Sequence, residues 1–274
     1  MRIIDTHLHL IYLDRFSYPW LENAPALNKQ TTAEDYFSEA GPLGIEQALH
    51  MEVNVADKDM EAETDFMLSC HPQIVGAIAN CRPEDNDFEA YLDRISSKPG
   101  LKGLRKVLHT NPDELSQTQL FAENIKKLAN HNLTFDLCIR ADQLQIGADL
   151  AAKCPDVHFI LDHCGVPDIA GGKLEQWKTG IDKIAQLPNV TAKFSGIVAY
   201  ANPDWSVDDL RPYAEYILTS FGWDRVVWGS DFPVCTLTAD LTRWVNATHA
   251  LIAGASEDEK AKLLHKNAQI LLGL

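Results

Sequence analysis

The sequence predicts a single (β/α)8 barrel spanning residues 1–274. Three observations lead there. Short apolar runs alternate with amphipathic helical runs along the whole chain, and eight such strand–helix units can be read. Strands separated by helical crossovers must run parallel, and eight units in about 250 residues is the size of a closed barrel. The first strand also lacks the glycine-rich turn that would mark an open, doubly wound sheet.

The first strand covers residues 2–9 and ends in Asp5-Thr6-His7-Leu8-His9. Spacing of i, i+2 on a strand puts His7 and His9 on one face, with Asp5 expected below them. A long connection follows through Tyr18-Pro19-Trp20-Leu21 and Pro25, and helical character begins near Thr32. A connection of that length carries function or serves as a packing flap. The second strand reads over 47–54, with Glu52 near its end. The helix over 57–70 has Met60, Thr64, Met67 and Leu68 as its apolar stripe. Strand three covers 74–80 and is followed by a helix over 86–97. In strand four, 101–108, Gly103, Arg105 and Val107 alternate with Lys102, Leu104 and Lys106. A helix over 117–130, a strand over 133–139 and a helix over 142–153 come next. Strand six covers 158–163, and the helix over 173–187 stops at Pro188. Strand seven covers 190–195, and the helix over 206–221 runs from Ser206 as N-cap to Gly222 as stop. Strand eight covers 225–230. Helices over 238–253 and 257–272 close the chain, the last with Ser256 and Glu259 at capping-box spacing.

Composition narrows the function classes. A net charge of -15 and a pI near 5.0 give a surface that repels phosphate backbones, so nucleic acid is not an expected partner. A few local arginines can still hold a small anion. No apolar run reaches membrane-spanning length, and the N-terminus has no signal-peptide pattern. The six cysteines show no C-x-x-C spacing and read as reduced thiols of a cytoplasmic protein.

In a barrel, catalytic groups gather at the C-terminal ends of the strands. Here those ends carry His7, His9, Glu52, Arg105, His109, Asp162, His163, Ser195 and Asp231. His7 and His9 make half of a divalent-metal site or a pair of acid/base groups. Asp231 reads as a metal ligand, a general base for water, or both. Glu52 is a further ligand or a salt-bridge partner of Arg105 or Lys193. His163 holds a carbonyl oxygen or a metal, or is a core histidine. Arg105 reads as a clamp for an anion or carbonyl. Lys193 points into the mouth or away from it. Tyr18, Trp20 and Tyr36 cover a substrate ring or the barrel rim. A nucleophilic role for Cys138, Cys164 or Cys235 is the weaker reading, because an apolar strand context suits an inert buried thiol.

An ordered set of motifs then resembles a known family. Asp5-Thr6-His7-Leu8-His9, Tyr18-Pro19-Trp20-Leu21, Lys102-Gly103-Leu104-Arg105, Leu161-Asp162-His163-Cys164-Gly165, Lys193-Phe194-Ser195-Gly196 and Trp228-Gly229-Ser230-Asp231-Phe232-Pro233-Val234-Cys235 recur in order. Together they are similar to the amidohydrolase 2 branch of the amidohydrolase superfamily, which includes sugar lactonases and lactonases of aromatic breakdown. The resemblance implies a TIM-barrel hydrolase that opens a sugar-acid or dicarboxylate lactone. It implies catalytic roles for Asp231, His163 and Arg105 and matches His7 and His9 to the family's strand-1 pair; these two histidines, with Asp231 and the strand-end Glu52, are the candidate metal ligands. His109, Trp20 and Lys193 are the candidate substrate contacts. One divalent ion, zinc or manganese, is the implied cofactor, with metal-independent hydrolysis the alternative. The fifth strand has no histidine, and Lys102 and Lys106 lie opposite Arg105, which argues against a two-metal site. Gly165-Val166-Pro167 departs from the Gly-Lys-Pro usual in the sugar-lactonase branch, so the substrate is expected to differ. A metal-dependent decarboxylase of an aromatic-type carboxylate is the competing activity; amide hydrolysis and a non-catalytic sugar-acid binder are further alternatives.

Overall fold

The computed structural model describes residues 1–274. Its eight strands are β1 (Ile3–Leu8), β2 (Ile45–Met51), β3 (Ile74–Asn80), β4 (Leu101–Val107), β5 (Thr134–Cys138), β6 (Phe159–Leu161), β7 (Val190–Phe194) and β8 (Val226–Trp228). They pair in sequence order, all parallel. The helices between and after them are α1 (Ala33–Ala40), α2 (Met60–Met67), α3 (Phe88–Ile95), α4 (Gln119–Lys126), α5 (Leu144–Lys153), α6 (Leu174–Ile184), α7 (Val207–Phe221) and α8 (Leu241–Leu251). The expected (β/α)8 barrel is therefore the observed one. None of these helices is long and apolar enough to cross a membrane.

The barrel interior divides by depth. Its lower part is an apolar cluster of Ile4, Leu49, Ile160 and Val227. The chain's last segment plugs it: α9 (Glu257–Ala261), a π-helical turn Lys262–Lys266 and α10 (Asn267–Leu272), whose Ala268 and Leu272 join the cluster. One continuous helix was expected there. The wider turn lets the adjacent Leu263 and Leu264 both be fully buried, which a regular 3.6-residue turn resists. The Ser256–Glu259 capping box forms as the spacing predicts, and so does the start of α7, where Ser206 caps and Asp209 answers.

Strands two, six and eight end two or more residues earlier than the sequence suggests. After Glu52 the backbone is satisfied by side chains instead of a neighbouring strand: Val53 N–H donates to Glu63 and Asn54 N–H to Glu52. After Leu161 the chain enters a left-handed turn, with φ of 52° at His163, 54° at Cys164 and 47° at Val166. Such a conformation is costly for a β-branched residue such as valine. The turn is braced from outside by Trp177 of α6, whose indole N–H donates to the Cys164 carbonyl at 2.7 Å.

Asp5 corrects the expected alternation. The pairing of β1 with β2 is irregular between Asp5 and Leu8, and the irregularity separates Asp5 from the face of His7. The Asp5 carboxylate instead accepts from Tyr36 of α1 at 2.5 Å, and from Ser230. Tyr36 is fully buried, so it does not cover the barrel rim.

Candidate active site

The barrel closes where β1 meets the segment after β8, and this seam builds the site. Asp231 N–H donates to the His7 carbonyl at 2.9 Å, and His9 N–H donates to the Phe232 carbonyl at 2.8 Å. Asp5 clamps both sides, accepting from His7 N–H at 2.9 Å and Ser230 N–H at 2.8 Å. Two histidines and an aspartate 222 or more residues away in sequence are thereby fixed side by side. Asp231 itself is held at φ 57°.

The three side chains converge. His7 Nε2 and His9 Nε2 are 3.1 Å apart and lie 3.6 and 3.5 Å from Asp231 Oδ1. His9 Nδ1 is 3.0 Å from the Met51 carbonyl and His7 Nδ1 is 3.3 Å from Asp162 Oδ1. The Met51 carbonyl favours a proton on His9 Nδ1, which turns the His9 Nε2 lone pair toward His7 and Asp231; His7 Nδ1 also faces the Lys193 ammonium at 3.3 Å, a donor that favours the proton on His7 Nε2. Burial keeps the imidazoles neutral: it lowers His7 well below the ordinary value and, with Arg105 nearby, lowers His9 to about 3. Burial pushes the Asp231 carboxyl up to about 6 against the pull of His163 and Arg105. Its Oδ2 has no hydrogen-bond partner and is 3.8 Å from His163 Nδ1, which pairs with Ser195 Oγ at 3.0 Å. Gly196, at φ 63°, makes room for this corner. A Cβ there would sit 2.4 Å from His163 Nδ1 and 2.6 Å from Asp231 Oδ2.

Beside this group lies a charge-paired one. Lys193 Nζ pairs with Asp136 and, at 3.0 Å, with Asp162 Oδ1. All three are buried. Burial disfavours each charge, but the two carboxylates hold Lys193 above its ordinary value, and Lys193 and His7 hold Asp162 well below its own. Asp136 bears the burial cost and is pushed up to about 7. Arg105 Nε donates to Glu52 Oε1 at 2.6 Å and its Nη2 to the Glu52 carbonyl at 2.7 Å. Burial opposes its charge, but Glu52, Cys138 and Asp162 together outweigh burial and hold it above its ordinary value.

These placements sort the candidate ligands. His7, His9 and Asp231 form a donor group able to hold one cation, and His7, Asp162 and His163 form a second. The second already has the Lys193 ammonium at 3.0 Å from Asp162. Glu52, expected as a ligand, is in neither group, because its carboxylate is committed to Arg105 and the Asn54 amide. The salt bridge to Arg105 is the alternative that forms. Lys193 points inward but lies outside the cavity lining, locked between two carboxylates, so it is not placed to touch substrate. Lys102 and Lys106 face away, toward the Gly273 carbonyl and Glu84.

A cavity of about 350 Å3 opens above the site and is lined by His9, Arg105, His109, His163 and Asp231 on one side. Trp20 lines it as well, its indole N–H donating to the Val53 carbonyl at 2.7 Å. Cys138 lines it 3.1 Å from His109 Nδ1, but burial pushes the thiol far up, which leaves little thiolate for a nucleophilic role. Sequence reasoning missed Asp136 and Tyr200. An acid inside the apolar run Leu133-Thr134-Phe135-Asp136-Leu137 demands a buried counter-charge, and that was the available signal. Tyr200, a cavity-lining residue beyond β7, carried none.

Comparison with known proteins agrees with this geometry. The family model described as Amidohydrolase matches residues 4–274. The chain belongs to the amidohydrolase family. This amidohydrolase is 30% identical to an L-fucono-1,5-lactonase of Burkholderia multivorans, over 86% of its own chain and 83% of that protein. It is 27% identical to a 4-sulfomuconolactone hydrolase of Rhizobium radiobacter, over 84% of its own chain and 75% of the relative. Among solved structures, a zinc-bound amidohydrolase from Burkholderia multivorans superposes with a TM-score of 0.90 at 22% identity, covering both chains fully. The amidohydrolase is thus a hydrolase on a TIM-barrel scaffold, and homologues that open lactones support lactonase chemistry.

Proposed function

We propose that this amidohydrolase hydrolyses a lactone ring at the Asp231 end of its barrel. The observation that carries the reading is the Asp231 carboxylate: buried, fixed by the barrel seam, facing the cavity, and with Oδ2 free of any hydrogen bond. A carboxyl raised to about 6 is matched to taking and returning a proton near neutral pH.

Oδ2 accepts a proton from water as the water oxygen bonds to the lactone carbonyl carbon. The charge that develops on the carbonyl oxygen is met by Arg105, whose Nη1 is the guanidinium nitrogen left unbound by Glu52, and by His163. The ring C–O bond then breaks, and Asp231 returns its proton to the leaving alkoxide. The product is a hydroxy acid.

The donor set fits one divalent ion. His7 Nε2, His9 Nε2 and Asp231 Oδ1 converge, and two imidazole lone pairs 3.1 Å apart repel unless a cation or proton lies between them. The buried layer also holds Glu52, Asp136, Asp162 and Asp231 against only Arg105 and Lys193, an excess of negative charge. A zinc or manganese ion held there would supply Lewis-acid polarisation of the carbonyl. Oδ1 would serve the ion while Oδ2 keeps the base role.

The test is proton release, followed with a pH indicator, from a lactone panel headed by L-fucono-1,5-lactone and a dicarboxylate lactone. Release above background that disappears in Asp231→Asn supports the reading. Carbon dioxide from aromatic carboxylates with no lactone opened would replace it with the decarboxylase alternative.

A further inference from the structure

The long connection between β1 and α1 does more than cover the barrel. Together with the residues after β2 it forms a second, small hydrophobic core of Ile11, Leu21, Leu27 and Val53, separate from the main one, with Trp20 and Val234 packed against it. One side of this core is the wall of the active-site cavity, to which Ile11, Trp20, Leu27, Val53 and Val234 all contribute.

What decides the inference is that the Ile11–Leu27–Val53 wall offers no free N–H donor. The Trp20 indole N–H is taken by the Val53 carbonyl at 2.7 Å. The Val53 N–H is taken by buried Glu63 at 3.1 Å. Ile11 and Thr31 exchange both backbone hydrogen bonds, at 3.0 and 2.9 Å. A hydroxyl laid against this wall would lose its water partners and find no N–H donor there, which is costly; Asn54, Thr110 and Tyr200 are the polar contacts the lining offers besides the histidines, Arg105 and Asp231. Cationic capacity is equally short. Arg105 is the one lysine or arginine lining the cavity, and two of its three nitrogens are bound to Glu52. Apart from an ion held by His7, His9 and Asp231, two carboxylates on one substrate would find no second cation.

From this geometry we infer that the preferred lactone is uncharged and carries a hydrocarbon substituent, which lies against the Ile11–Leu27–Val53 wall while the ring ester faces Asp231. The inference rests on the lactonase reading and narrows it. It separates this enzyme's substrate from polyhydroxylated and dicarboxylated lactones.

The test is a homologous series of δ-lactones bearing hydrogen, methyl, propyl or pentyl beside the ring oxygen, assayed with L-fucono-1,5-lactone and a dicarboxylate lactone. Binding of the matching δ-lactams, which keep the ring carbonyl, is measured separately by thermal shift. The expected result is a kcat/KM that rises about fourfold per methylene until the wall is filled, the factor that ~0.8 kcal/mol per buried CH2 corresponds to. The propyl compound should exceed both polar lactones at least tenfold. Leu27→Asn should flatten the series and Leu27→Met should keep it. Because each variant is read as a ratio of substituted to unsubstituted lactone, partial misfolding does not disturb the comparison. A flat series with turnover, or a faster fuconolactone or dicarboxylate, overturns the inference and leaves lactone hydrolysis standing. A slope in lactam binding with no lactone opened keeps the apolar wall and overturns the hydrolysis. No slope in either overturns the inference.

Discussion

Two clusters share the upper half of this barrel, a few ångströms apart, and they are built on opposite principles. Around Lys193, every carboxylate has a cationic side chain beside it: an ammonium lies between Asp136 and Asp162, and Arg105 is locked to Glu52, although Asp136 Oδ2 and both Asp162 oxygens lack a hydrogen bond. Asp231 has none paired to it: one carboxylate oxygen has no hydrogen bond, and two imidazoles kept neutral by burial converge on the other. Both clusters are buried, so both carry a desolvation cost. The first recovers part of it through ion pairs, whereas no lysine or arginine pairs with Asp231. A buried carboxylate with no cationic side chain paired to it marks the place where a ligand, an ion or a reacting proton is expected to complete the set. The Lys193 cluster is accordingly read as scaffold and the Asp231 cluster as chemistry.

Substitutions can break that comparison. Asp231→Asn should cost roughly 10²- to 10⁴-fold in kcat, the range for losing a general base. The melting temperature of the metal-free protein should stay level or rise, since an unpaired buried charge is removed. Steady-state proton release and a thermal melt check both halves, and an active variant removes Asp231 from its role. Lys193→Met should do the reverse. Two buried carboxylates lose their counter-charge, and stability should fall by about 3–5 kcal/mol, read by urea denaturation. Adding Asp136→Asn should restore part of it. Should Lys193→Met keep full stability and change only KM for substrate, the lysine belongs with the chemistry.

Metal removal sharpens the same contrast. Zinc or manganese added to chelator-treated enzyme should raise its stability by about 2.7 kcal/mol at a hundredfold excess over Kd. The rise should vanish in His9→Asn and persist in Glu52→Gln when each is compared with its own metal-free form, because Glu52 is committed to Arg105. A shift lost in the glutamate variant and kept in the histidine variant would exchange their assignments.

Much of this was legible in the sequence. Strand-end position alone brought His7, His9, Arg105, His163 and Asp231 to one mouth, because eight parallel strands leave their C-terminal ends nowhere else to converge. What was not legible depends on register and on backbone sign. The irregularity in β1 that turns Asp5 toward Tyr36 breaks simple alternation, and no periodicity reveals it. The left-handed turn at His163 and Cys164 looks like a strand continuation in a run as apolar as Phe159-Ile160-Leu161. The choice between inward and outward for Lys193 depended on Asp136 across the barrel, a partner 57 residues away.

The smallest test concerns the glycine beside Asp231. Gly196 adopts φ 63°, where alanine carries a backbone penalty of about 1 kcal/mol. That alone would be a modest stability effect. The added methyl, however, points at His163 Nδ1 and Asp231 Oδ2 together, at 2.4 and 2.6 Å. These two atoms are already 3.8 Å apart with no hydrogen bond between them, so they can move only by spreading. Gly196→Ala should therefore lower kcat about tenfold or more, since small misplacements of positioned groups are costly to rate. It should destabilise the fold by only about 1–2 kcal/mol. Gly273→Ala is the control, because Gly273 lies in the same left-handed region, at φ 59° and ψ 51°, with open space around its Cβ position. It should show a backbone penalty of the same order with kcat unchanged. Equal loss of kcat in the two variants would mean that Gly196 serves the backbone alone and does not shape the space around the base.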